Sequence, residues 1–78
     1  MDRWTTYTGE QARQIIAALQ LLIDSGELSR SEWGEEKIAK RIKRKLERAS
    51  MREKGYTMVP LTEGEAVLLD PVEAALWR

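Results

Sequence analysis

The sequence predicts an α+β domain over residues 1–78. Its parts are an antiparallel helical hairpin (about 9–25 and 30–52), a C-terminal β-hairpin (about 56–69) and a short final helix (71–77). Three observations predict it. Apolar residues recur at helical spacing in two long stretches joined by Ser25-Gly26-Glu27-Leu28-Ser29, a connection short enough to force antiparallel neighbours. After Gly55, two strand-like runs flank Thr62-Glu63-Gly64-Glu65. An Asp-Pro pair then precedes the last apolar segment.

The first helix starts at Thr8, where Gln11 three residues on completes a capping box and Tyr7 is placed to staple onto Ala12. Ala12, Ile15, Ile16, Leu19, Leu22 and Ile23 form one face, but Ala17 and Leu21 lie on the other. A helix apolar nearly all round touches more than one neighbour. Gly26 ends it in the usual left-handed position.

Ser29 and Glu32 predict a second capping box, with Leu28 and Trp33 as its staple, and Gly55 as the stop of the helix that follows. Its apolar stripe is narrow: Ile38, Ile42, Leu46 and Ala49, with Ala39 at the edge. Tyr56–Val59 and Ala66–Leu69 are the two strands of the expected hairpin, and Asp70, Pro71 and Glu73 supply the start of the last helix. Thr62 and Glu65 also make a capping box, so 63–69 has a helical alternative, and Pro60 confines the first strand to an edge. An all-α chain is the competing fold class.

Charge is distributed unevenly along a chain whose formal net charge is zero. Residues 1–36 hold three Arg and seven acids, residues 37–54 nine basic residues and two acids, and residues 55–78 one Arg and four acids. A basic belt thus lies between acidic flanks. At 100° per residue, Lys37, Lys40, Arg41, Arg44, Lys45, Arg48 and Arg52 fall in one arc of roughly 140°. Five like-charged i,i+4 pairs cost the isolated helix on the order of 1–2 kcal/mol. A face chosen for solubility alone would mix signs.

Three uses of the arc compete. The acidic residues Glu10, Asp24, Glu27, Glu63, Glu65 and Glu73 could neutralise it within the fold or across a dimer. It could dock onto an acidic protein surface, or onto a nucleic-acid backbone. Trp33, whose angle falls beside the arc, is the sole aromatic near it and the best anchor among Trp4, Trp33 and Trp77. The other tryptophans are read first as sealing the core. The expected partner-binding set is therefore Trp33, Lys37, Lys40, Arg41, Arg44, Lys45, Arg48 and Arg52.

Catalysis finds little support in the residues. The chain has no cysteine or histidine, no glycine-rich phosphate loop and no nucleophile elbow, so no catalytic, metal-binding or cofactor-binding residues are expected. Glu32, Glu35 and Glu36 resemble the first Glu-x-x-Glu element of all-helical nucleotide pyrophosphohydrolases, whose carboxylates hold Mg²⁺. The second element is absent, and first-turn acids suit the helix dipole without it. The longest apolar stretch, Ile15–Ile23, is far short of the ~20 residues of a membrane span. Met1–Glu10 lacks the pattern of a secretory signal, and a soluble, cytoplasmic protein is expected.

VPLTEGEAVLLDPVEAALW (59–77) resembles the lead segment of phage HNH homing endonucleases and related AP2-type domains. That resemblance implies strand, turn, strand and helix, and a phage origin. The catalytic histidines of the family have no counterpart here, so it implies no activity. The resulting expectation is a small non-enzymatic binding or regulatory protein, phage-derived, that engages a host macromolecule through the basic helix 37–52. Self-association as a homodimer is also expected, because one short chain has few elements to cover a helix apolar on both sides.

Overall fold

A computed structural model of the chain describes residues 3–30, 34–52 and 56–77, without the side chains of Arg30, Ser50, Met51 and Arg52. Strand β1 (Arg3–Thr8) leads straight into helix α1 (Gly9–Ser25). A single 3₁₀ turn (Leu28–Arg30) precedes helix α2 (Glu35–Arg52), and strand β2 (Tyr56–Leu61) precedes helix α3 (Glu63–Trp77). The class is α+β, as the sequence predicts, and the all-α alternative is not favoured.

The strand pairing differs from expectation. β2 pairs antiparallel with β1, Arg3 opposite Leu61 and Thr8 opposite Tyr56, and residues 63–69 are helical. The predicted β-hairpin over 56–69 is therefore not formed, and neither is the second strand implied by the endonuclease-like segment. Local capping chemistry decides this. Glu65 N donates to Thr62 Oγ1 (3.3 Å), Thr62 N donates to Glu65 Oε1 (2.8 Å), and a helix starts where the hairpin turn was expected. β1, with alternating Trp4, Thr6 and Thr8 against Thr5 and Tyr7, supplies the partner that β2 needs. Pro60 tolerates the pairing because its carbonyl accepts from Lys45 Nζ (2.9 Å). Its missing N–H thus falls on the edge away from β1.

Two helix starts also move. α3 runs unbroken from Glu63, so Asp70 and Pro71 lie inside it rather than at the start of a helix over 71–77. Glu73 accepts a 2.6 Å hydrogen bond from Tyr7 Oη instead of serving a cap, tying α3 to β1. α2 begins at Glu35, not near residue 30: Gly34, at φ 67°, accepts from Lys37 N and Ile38 N. Ser29 donates to Gly26 O, and its expected partner Glu32 lies outside the described residues, as does the stop at Gly55.

The start and end of α1 are as read from the sequence. Thr8 and Gln11 form the reciprocal capping box, and Gly26 takes φ 77°. Ala12, Ile15 and Leu19 of α1, Ala39, Ile42 and Leu46 of α2, Val59 and Leu61 of β2, and Leu69 and Val72 of α3 make one core. Tyr7 and Leu28 belong to it as well, whereas Trp77, expected to seal it, is exposed and lies outside it. Its ring lies 6.3 Å from that of Tyr7, and its Nε1 donates to Gln14 Oε1. No helix among the described residues is long and apolar enough to cross a membrane.

Candidate polyanion-binding face

Burying one stripe of α2 forces the opposite side into solvent. With Ala39, Ile42 and Leu46 inward, Lys37, Lys40, Arg41, Arg44 and Arg48 are exposed. Their i,i+4 and i,i+3 spacing keeps Lys37, Arg41, Arg44 and Arg48 within an arc of roughly 60° and a run of roughly 16 Å along the helix. None of these four makes an ion pair among the described residues. Lys40 reaches Glu36 at 3.7 Å, and Lys43, outside the arc, reaches Glu47 at 3.4 Å. Both are exposed or half-exposed intrahelical pairs, so they are weak.

Lys45 departs from the expected set. It sits at the arc's edge, half-buried, and its ammonium donates to Glu65 Oε1 (2.6 Å) and Pro60 O (2.9 Å). It therefore holds α2 to β2 and to the first turn of α3, and is withdrawn from the binding surface. Glu65 is 1% exposed, and its second oxygen is buried without a hydrogen-bond partner among the described residues. Of the six flanking acids, Glu65 alone pairs with the arc among the described residues. Trp33 and the side chain of Arg52, both in the expected partner-binding set, lie outside the description.

A second component was not legible in the sequence. The paired strands turn Tyr7, Thr57, Val59 and Leu61 to the core and Trp4, Thr6, Tyr56 and Met58 outward. Trp4 is 65% exposed and Tyr56 53%. A depression of about 280 Å³ lined by Trp4, Met58, Pro60, Lys45, Arg48 and Ala49 joins this sheet face to the basic side of α2. Trp4, expected to seal the core, therefore lies open beside Arg48. The alternation in RWTTYT was the available signal, but its pairing partner lies some fifty residues away.

Two buried groups titrate abnormally, and both serve the fold. Burial raises the Glu65 carboxyl, but the Lys45 ammonium and the Thr62 amide outweigh it and hold it below its ordinary 4.5. Burial first, then the Glu73 carboxylate, push the Tyr7 phenol well above its ordinary 10.0. A lowered carboxylate stabilises the fold above its unfolded pKa, and a raised phenol does so below its own. Thermal stability is therefore expected to decline as pH falls below about 4.5 and again as it rises past about 10, with Glu65→Gln flattening the acid limb alone. Melting curves across pH check this.

Among the described residues, no group of three or more His, Cys, Asp or Glu side chains is placed to hold a metal ion. Compared with known protein families, curated proteins and solved structures, the chain matches none.

Proposed function

We propose that this is a non-enzymatic binding protein that engages a nucleic-acid backbone through the exposed side of α2. One observation carries the reading: Lys37, Arg41, Arg44 and Arg48 line up on one helix face with no carboxylate paired to any of them among the described residues. Like-charged neighbours at this spacing destabilise a helix, so the row has a use outside the fold. Lys45, which ties α2 to α3 through Glu65, sits apart at its edge. A row of fixed positive charges along a rod suits the repeating phosphates of a nucleic-acid strand, whose binding is strengthened by counterion release. Titration against a labelled random-sequence oligonucleotide at about 50 mM salt should show a Kd below about 100 µM. No binding there, with capture of an acidic protein instead, would replace this reading.

We further propose that the functional unit is a homodimer formed through α1 and α3. An apolar groove of about 590 Å³ runs between them, lined by Ala18, Leu21, Leu22, Leu68, Val72 and Leu76. Leu21 is 71% exposed at its rim. A domain this small gains from covering such a surface. Leu21→Lys is expected to convert the dimer to monomer in sedimentation equilibrium at tens of micromolar. A strict monomer for the unaltered chain contradicts it.

A further inference from the structure

We infer that the nucleic acid bound is single-stranded, its bases stacking on the outer face of the β1–β2 ribbon while its phosphates lie along α2. This rests on the nucleic-acid reading above and narrows it. The ribbon's outer face carries Trp4, Thr6 and Thr8 from β1 and Pro60, Met58 and Tyr56 from β2, with no charged residue among these six. Trp4 and Tyr56 lie at opposite ends of it, roughly 13 Å apart along the strand direction, and Met58 sits between them. A soluble domain does not ordinarily leave a tryptophan, a tyrosine and a methionine open together on one face.

Charge complementarity selects the occupant. The depression between Trp4 and α2 is bordered by Arg48, whose guanidinium makes no ion pair among the described residues, and Arg48 continues into Arg44, Arg41 and Lys37. An aromatic platform beside a row of exposed cations is what an unpaired strand requires: a π-face for its bases and positive charge for its backbone. A duplex presents its phosphates but keeps its bases stacked inside, so it can use the row and not the platform. An acidic peptide could use the row too, but its side chains offer little for a flat aromatic face to stack on.

The test is fluorescence anisotropy with a labelled oligothymidylate of about 12 nucleotides, alone and annealed to its complement. The single strand should bind at least about tenfold tighter than the duplex, and Trp4→Ala should erase most of that difference, with Trp4→Phe retaining it. Tyr56→Ser provides a second probe at the other end of the ribbon and should weaken the single strand about fivefold. Equal affinity for both forms, with no response to Trp4→Ala or Tyr56→Ser, overturns the single-strand inference and leaves backbone binding standing. Binding of neither form, with an acidic polypeptide such as polyglutamate bound instead, overturns the nucleic-acid reading itself.

Discussion

Lys45→Met is expected to destabilise the protein by about 3 kcal/mol, a large share of what a domain of this size possesses. The change leaves Glu65 as a carboxylate at 1% exposure with its counter-ion gone and its second oxygen already without a partner among the described residues. Lys45 is itself partly open to water, which places the loss at the lower end of the range for broken buried pairs. Adding Glu65→Gln should recover part of it, since the neutral side chain can still accept from Thr62 N. Lys40→Met is the control. It removes an exposed i,i+4 contact and should cost less than about 0.5 kcal/mol. Urea denaturation at neutral pH measures all three. A loss below about 1 kcal/mol for Lys45→Met would show the pair to be no better than a surface one.

That pair also explains what the sequence showed and what it hid. Signals acting within a turn of helix were legible: the Thr8–Gln11 box, Gly26, and the burial of Ile15, Leu19, Ile42 and Leu46. Residues 62–69 carried two local signals of similar strength, a β-prone run and a capping box. The capping box prevailed, and Lys45, twenty residues upstream, supports it by holding the Glu65 carboxylate in the helical position. β1 was missed because a six-residue strand before a helix is defined by a partner far along the chain. The basic row was visible from periodicity alone. Which of its members the fold consumes was not, since Lys45 and Arg48 look alike until β2 is in place.

The second large effect concerns binding. Arg44→Glu combined with Arg48→Glu is expected to reduce affinity for oligonucleotide more than about a hundredfold at about 50 mM salt. It removes two of the four charges that have no ion pair among the described residues and sets two carboxylates against the phosphates. Stability should be equal or slightly higher, because the i,i+4 sequence pairs 40/44 and 48/52 change from like-charged to oppositely charged. If the row were neutralising the protein's own acidic residues, the same variant would lose stability, and more at low salt than at high. The two accounts therefore differ in the sign of a melting-temperature change as well as in affinity.

The salt dependence of that affinity tests the central claim most directly. Four contacts, from Lys37, Arg41, Arg44 and Arg48, should make log affinity fall with log salt at a slope of about −2.8 for a single strand, from ~0.7 per contact, or about −3.6 for a duplex, from ~0.9 per contact. Arg44→Gln should reduce the slope by about one contact's share whatever the base sequence. A slope near zero, or one that Arg44→Gln leaves unchanged, would contradict the assignment of this helix face to a nucleic-acid backbone.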